Sequence, residues 1–262
     1  MRLITHTCSN TEIVAALGRA DWIVGTDDHS DFPPEVVQRA ARVGPDLDID
    51  IQRVTELKPD LVITSLTVPG HERCLEKLQA AGLPCLVTQP HTLSDVIRDI
   101  RTIGEAIDAQ HAAEKLASRF EQTLNQPPPD GEPIPILIEW WPKPVIVPGQ
   151  KSWVNAMLRL AGAFNPFENH EAESLEITAD QARQAAPEAV VMSWCGVQES
   201  KYRPHIVTRR DGWDTIPALV NGQVVGISEA WLGRPGPRLI EGIDRLRQLV
   251  ERVKAHNPRR EC

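Results

Sequence analysis

Three histidines follow predicted β-strands, where ligand-binding side chains commonly stand in α/β proteins. They are His6, His29 and His71, and each comes at or after the end of a short apolar run. Neutral imidazole is a good ligand for transition metals. The spacing does not form a compact zinc motif, so a bare zinc ion is the weaker interpretation of the three together. We predict that they face a ligand, His29 foremost, with simple solvent exposure as the alternative for His29.

Tryptophans form the second group with a possible binding role. The chain has seven, although only 5% of its residues are aromatic. Core packing is the ordinary role of tryptophan, but indole rings in loops after strands can also form the walls of a site for a large, flat, partly apolar ligand. We predict this role for Trp140, Trp141, Trp194 and Trp231.

Catalytic motifs are absent from the sequence. It contains no glycine-rich phosphate loop and no G-x-S-x-G elbow. Cys195 follows a predicted strand, but no neighbouring base or helix start that would activate a thiol can be read from the sequence. We therefore predict a binding protein rather than an enzyme.

Alternating strands and helices must position these residues. Alternation of this kind is typical of βαβ units with parallel sheets, which bind ligands outside the carboxyl ends of their strands. The predicted strands span residues 3–5, 22–25, 61–64, 85–87, 134–138, 189–193 and 223–227. The predicted helices span residues 13–17, 50–57, 72–81, 93–125, 152–161, 179–186 and 238–254.

The helix from Leu93 to about Asn125 dominates this pattern. Its apolar residues recur at the spacing of an amphipathic helix. Thr92 and Asp95 form a capping-box pattern at its start, and prolines from Pro127 onward end it. A helix of this length would be a rod of roughly 50 Å. We predict one long rigid helix that connects two lobes.

Two halves of similar construction flank this helix. Residues 53–66 and 181–194 share a helix, a proline followed by an acidic residue, an apolar run and a serine. We predict two Rossmann-like α/β lobes, an N-terminal lobe over residues 1–91 and a C-terminal lobe over residues 127–262, with residues 92–126 as the connecting helix.

Bulk properties exclude several classes of protein. The net charge of −8 argues against general nucleic-acid binding, and no apolar stretch is long enough to span a membrane. The five scattered cysteines, which include Cys262, are predicted to be reduced thiols. No signal peptide is visible at Met1, which favours a cytoplasmic protein, and a periplasmic protein whose signal was trimmed is the alternative. We expect a monomer.

Five motifs carry a family resemblance over nearly the whole chain. They are LIT with SNTE within residues 3–12, HSDFPP at 29–34, LKPDLVI at 57–63, PG at 148–149 and GPR at 236–238. Together they resemble the cobalamin and iron-siderophore substrate-binding proteins of ABC importers. The resemblance implies a class III substrate-binding-protein fold, little hinge motion, a ligand held between the lobes, and a membrane permease as the partner.

Within that family the likeness is greatest to the members that bind vitamin B12. It implies cobalamin or a related corrinoid as the ligand, and His29 and Ser65 stand at positions of aromatic ligand contacts in those members. His29 is then a possible cobalt ligand. Tyr202, in a loop with Lys201 and Arg203, keeps a ferric siderophore or haem as the alternative. A chelatase-like enzyme that acts on a tetrapyrrole is a further alternative.

The resemblance also implies two docking residues for the permease. In the family a glutamate on each lobe docks onto permease arginines, and these positions fall on Gln52 and Asp180, seven residues before Pro59 and Pro187. One charge is lost and the other side chain is shortened, which favours the cytoplasmic interpretation over a periplasmic shuttle. The neighbouring acids that could replace them are Glu56, Glu72 and Glu176.

Overall fold

A computed structural model describes residues 1–256, so the predicted reduced state of Cys262 lies outside the described residues. The chain divides into two compact units. The N-terminal unit comprises Met1–Gln122 with Pro235–Pro237, and the C-terminal unit comprises Thr123–Arg234 with the segment that begins at Arg238. The predicted boundaries of 1–91, 92–126 and 127–262 stay a prediction.

The N-terminal unit is built on one parallel sheet with strand order β3-β2-β1-β4-β5. Leu3, Ile4, Val62 and Ile63 in its central strands are buried, as expected for a parallel sheet covered on both faces, whereas Val87 at its edge is exposed. The strands are β1 (Leu3–Thr5), β2 (Ile23–Thr26), β3 (Ala41–Arg42), β4 (Leu61–Ser65) and β5 (Cys85–Thr88). The helices are α1 (Cys8–Ala16), α2 (Pro34–Arg39), α3 (Ile51–Glu56), α4 (His71–Ala80), α5 (Leu93–Ala106) and α6 (Gln110–Leu124), in which the unit boundary falls.

The C-terminal unit contains a parallel sheet and a small antiparallel sheet. The parallel sheet has the order β12-β11-β6-β9, and the antiparallel sheet has the order β10-β8-β7. The strands are β6 (Ile134–Glu139), β7 (Trp141–Pro142), β8 (Val145–Pro148), β9 (Ala163–Phe164), β10 (Ser174–Glu176), β11 (Ala189–Met192) and β12 (Val224–Gly226). The helices are α7 (Val154–Leu160), α8 (Ala179–Ala185), α9 (His205–Thr208), α10 (Pro217–Val220), α11 (Glu229–Leu232) and α12 (Leu239–His256).

The predicted single helix over residues 93–125 is wrong, because the helix is broken after Ala106. Its start is as predicted: the Thr92 hydroxyl accepts from the backbone N–H of Asp95, whose carboxylate accepts from the backbone N–H of Thr92. At the break Asp108 adopts a φ of 50°, and the N–H of Ala109 donates to the carbonyl of Gly104 over 2.7 Å. A left-handed residue with a bond of this kind ends helices. The turn uses neither glycine nor proline, so the sequence pattern did not reveal it.

Helices α5 and α6 fold back on one another as a helical hairpin. The Arg101 guanidinium contacts Glu114 at 2.8 Å and Glu121 at 2.9 Å. In one straight helix, residues 20 apart would be separated by about 30 Å. Gly104 permits the close approach, since a Cβ there would lie 2.3 Å from the Cβ of Ala113. The predicted rod of roughly 50 Å is therefore replaced by two packed helices.

Candidate ligand-binding site

The carboxyl edge of the N-terminal sheet carries a dense set of buried polar side chains. The strand order reverses between β1 and β4, and ligands of open α/β sheets bind at such a reversal. Buried polar groups need hydrogen-bond partners, so a cluster of them is kept only where it is well connected. The buried members are Thr5, His6, Thr7, Ser9, Asn10, Thr11, Asp27, Ser30, Thr64, Ser65, His71 and Thr88.

Asp27 organises the turn that leaves β1 and the loop that leaves β2. One carboxylate oxygen accepts from the backbone N–H groups of His29 (2.9 Å) and Ser30 (3.0 Å). The other accepts from the Ser30 hydroxyl (2.6 Å) and from the backbone N–H of Thr7 (3.1 Å). Thr7 has a φ of 89°, a strained conformation that the surrounding bonds must hold. Asp27 is therefore a structural residue that sets the position of His29.

His6 and Ser65, two of the predicted ligand contacts, are fully engaged inside the unit. His6 Nε2 lies 2.7 Å from the backbone carbonyl of Asp46, an acceptor, so this nitrogen donates. His6 Nδ1 then accepts from the Thr64 hydroxyl over 2.7 Å, and burial lowers the pKa of the imidazole. The Ser65 hydroxyl is buried and accepts from the Asn10 amide over 2.9 Å. No ring nitrogen of His6 remains for a ligand.

His29 and His71 lie on either side of the Asp46 carboxylate, a residue that the sequence analysis missed. His29 Nε2 is 3.4 Å from Oδ1, and His71 Nε2 is 3.6 Å from Oδ2. Contact with His71 is the main cause that holds the pKa of Asp46 below its usual value, against the opposing effect of burial. The His71 ring is buried and neither nitrogen has a hydrogen-bond partner among the described residues, whereas the His29 side chain is 51% exposed. Of the three histidines, His29 alone is accessible.

Exposed apolar side chains occupy the same loops. Phe32 is 41% exposed in the loop after β2, Leu47 is 42% exposed in the loop after β3, and Val68 is 42% exposed in the loop after β4. Apolar side chains left exposed together on a soluble protein often mark a binding surface. The same loops carry His29, Asp46 and the residues before His71, so these loops contain both polar and apolar side chains.

In the C-terminal unit, Trp194 and Tyr202 belong to the hydrophobic core. Trp194 is only 4% exposed, and its indole N–H donates to the buried Glu139 carboxylate over 3.0 Å. The Tyr202 ring packs against it at 5.2 Å, and burial raises the pKa of the Tyr202 phenol. Arg210 pairs with Glu139 at 2.7 Å, which compensates the buried charge. These contacts give both aromatic residues a packing role.

The other predicted tryptophans are more accessible. Trp141 is 43% exposed and its N–H donates to the Lys143 carbonyl over 3.2 Å. Trp140 is half-buried, and Trp231 is half-buried beneath the Arg245 guanidinium, 4.3 Å from the ring centre. Of the four, Trp141 presents the largest free indole surface.

The two predicted docking positions are on the surface, and each side chain contacts a charged side chain of its own helix. The Gln52 amide donates to Glu56 over 2.9 Å, so an acid stands one turn along α3. Asp180 is 85% exposed at the start of α8 and pairs with Arg183.

Neither a bare metal site nor a membrane span is found in the part of the chain that the structure describes. Within residues 1–256, no group of three or more His, Cys, Asp or Glu side chains is arranged to hold a metal ion. No helix in the same range combines the length and apolar composition needed to cross a bilayer.

Comparison with known proteins gives consistent results. A family model described as periplasmic binding protein matches residues 3–230. The chain is 28% identical over 258 residues to an uncharacterised ABC transporter substrate-binding lipoprotein of Bacillus subtilis, covering 95% of this chain and 79% of that protein. It is 25% identical over 252 residues to a vitamin B12-binding protein of Vibrio cholerae, covering 94% and 87%. The solved periplasmic heme-binding protein of Roseiflexus has a TM-score of 0.82 at 22% identity, covering 96% and 98%.

These comparisons decide three of the sequence-based predictions. The predicted family of substrate-binding proteins is confirmed by the family model that matches residues 3–230. The predicted class III substrate-binding-protein fold is confirmed by the structural likeness over nearly the whole chain. The predicted cytoplasmic location is wrong, because the matching proteins are described as periplasmic or as lipoproteins. That prediction depended on the altered docking positions Gln52 and Asp180 and on the absence of a leader at the start of the sequence. Where a sequence starts carries no information on what precedes it.

Proposed function

The chain belongs to the periplasmic binding protein family and is the substrate-binding component of an ABC importer; from this premise we propose that its ligand is a corrinoid of the cobalamin type. The observation that carries the choice of a large, metal-centred ligand is the surface at the carboxyl edge of the N-terminal sheet. There an accessible imidazole, His29, and the exposed side chains of Phe32, Leu47 and Val68 belong to the loops that follow β2, β3 and β4. A macrocycle with apolar faces and a central metal matches that combination. No catalysis is required.

The apolar side chains supply part of the binding free energy. Each is about two fifths exposed, and full burial of such a side chain is worth about 1.5–3 kcal/mol. Covering Phe32, Leu47 and Val68 therefore contributes about 2–4 kcal/mol in all. A micromolar dissociation constant needs about 8 kcal/mol, so other contacts must provide the rest. We assign one of these to His29 as a cobalt ligand.

Retention of ligand on a desalting column tests the proposal. The protein is mixed with cyanocobalamin, hemin or ferrioxamine, passed through the column, and measured by visible absorption. We expect co-elution of cyanocobalamin and a dissociation constant of micromolar or lower by titration calorimetry. Retention of hemin or ferrioxamine without cyanocobalamin would assign a different ligand. Haem is the alternative with structural support, because an accessible imidazole would suit haem iron equally well.

The same proposal places the protein outside the cytoplasm, docked on a permease. Gln52 and Asp180 stay the predicted docking positions, and Glu56 supplies the acid that Gln52 lacks. Charges at the edge of an interface act mainly on the rate of association. Glu56→Lys and Asp180→Lys should slow ligand uptake by cells that carry the transporter, while ligand binding by the purified protein is unchanged. Uptake at the wild-type rate in the double variant would exclude these positions from docking.

A further inference from the structure

Asp46 is in contact with three histidines, more than the packing of its loop requires. Three histidines from three separate segments converge on this one residue: His6 on its backbone carbonyl, and His29 and His71 on opposite oxygens of its carboxylate. Asp46 follows Gly44 and Pro45 in the loop after the two-residue strand β3. Its carboxylate is thus held at the strand edge from two sides.

The roles of the three imidazoles differ according to which nitrogens are free. His6 has none, since both are hydrogen-bonded and the ring is buried. The His71 side chain is buried, and its Nε2 faces Oδ2 of Asp46. His29 also turns Nε2 toward Asp46, so its Nδ1 is the nitrogen that points away from the carboxylate, on a side chain that is half exposed.

A histidine that ligates a metal commonly directs its other ring nitrogen at a carboxylate. The carboxylate fixes the tautomer and the orientation of the ring, and it makes the ligating nitrogen a stronger donor. His29 Nε2 faces Asp46 Oδ1 at 3.4 Å, an ion-pair distance rather than a formed hydrogen bond, and His71 Nε2 lies 3.6 Å from the other carboxylate oxygen.

We propose that Asp46 is a positioning residue, which keeps the proton of His29 on Nε2 and presents Nδ1 as an axial ligand to the metal of a bound tetrapyrrole. The proposal rests on the proposed function. In the coordination step the lone pair of Nδ1 replaces a water molecule on the metal, the water leaves, and the oxidation state does not change. Asp46 itself does not touch the metal.

A comparison of two forms of cobalamin distinguishes axial ligation by the protein from binding without ligation. Aquocobalamin has an exchangeable axial water, whereas both axial positions of cyanocobalamin are filled. We expect the visible spectrum of aquocobalamin to shift when it binds the wild-type protein, and that of cyanocobalamin to stay unchanged. His29→Ala should abolish the shift. Asp46→Asn should weaken aquocobalamin binding about tenfold or more relative to cyanocobalamin, the usual scale for loss of such a supporting carboxylate.

Asp48→Asn is the matched control for Asp46→Asn. Asp48 lies in the same loop, but it is exposed and pairs with Lys77 at 2.8 Å rather than with a histidine. This variant should keep the wild-type spectrum and affinity. Retention of cyanocobalamin by every variant shows that each is folded and competent to bind.

The outcomes distinguish the two proposals. If the wild-type protein retains neither cobalamin, the proposed function fails and the axial ligation fails with it. If it retains both and the aquocobalamin spectrum does not shift, the function stands and the ligation is overturned. If the shift is lost in His29→Ala but fully kept in Asp46→Asn, His29 ligates without help and the positioning role of Asp46 is overturned.

Discussion

Trp141 and Trp194 should respond in opposite ways to replacement by alanine. Trp141 is 43% exposed, so Trp141→Ala removes less buried surface than Trp194→Ala, because Trp194 is only 4% exposed in the core of the C-terminal unit. Truncation of a buried tryptophan usually costs about 3–5 kcal/mol. Trp194→Ala also removes the indole donor of the buried Glu139 carboxylate, a bond to a charged group worth about 1.5–3 kcal/mol.

We therefore expect Trp194→Ala to lower the free energy of unfolding by about 4 kcal/mol or more. At about 2–4 °C per kcal/mol for a chain of this size class, its Tm should fall by about 8–16 °C. Trp194→Phe separates the two causes, because it keeps most of the ring but loses the N–H. That variant should lose only about 1.5–3 kcal/mol.

Trp141→Ala should lower the free energy of unfolding by about 1–2 kcal/mol, less than Trp194→Ala, since part of the Trp141 surface is exposed. If the Trp141 ring packs on the ligand, the same variant should weaken cobalamin binding by about 1–3 kcal/mol. Urea unfolding, monitored by circular dichroism, measures stability. Titration calorimetry, at a temperature at which the variants are folded, measures binding. A stable Trp194→Ala protein with weakened binding would refute the core assignment and return Trp194 to the ligand.

Two further predictions concern other contacts. Burial raises the pKa of Asp99 to about 6, and its Oδ2 has no hydrogen-bond partner within the described residues. Because this folded-state pKa lies above the usual value of about 4, the folded state loses stability as pH rises from about 4 to about 6. Asp99→Asn should remove this pH-dependent loss of stability. Tm measured against pH for the variant and the wild type checks this, and parallel curves between pH of about 4 and about 6 would contradict the prediction. Gly104→Ala should destabilise the protein by about 1–3 kcal/mol, although alanine is normally the better helix former, because its Cβ would lie 2.3 Å from that of Ala113. Ala113→Gly in the same chain should restore much of the loss, and a failure to do so in urea unfolding would argue against the hairpin contact.

The sequence by itself determined the class of fold and the identity of most elements. Apolar β-branched runs such as Leu61–Ser65, and helix starts such as Thr92 with Asp95, are local patterns that act over a few residues, and the structure contains them as predicted. The family followed from motifs spread over the whole chain, and the comparisons confirmed it. Such features can be predicted because neighbours in sequence decide them.

The tertiary structure alone decided which side chains reach the surface and which segments turn back. Asp46 follows a strand of only two residues, too short for periodicity to reveal, and its position among His6, His29 and His71 depends on loops brought together by the sheet. The turn at Asp108 uses an ordinary residue in a left-handed conformation, stabilised by packing of α6 on α5. Trp141 and Trp194 both follow strands in sequence, yet one is exposed and one is buried. Burial depends on contacts between distant residues, and a pattern of neighbours contains no record of them.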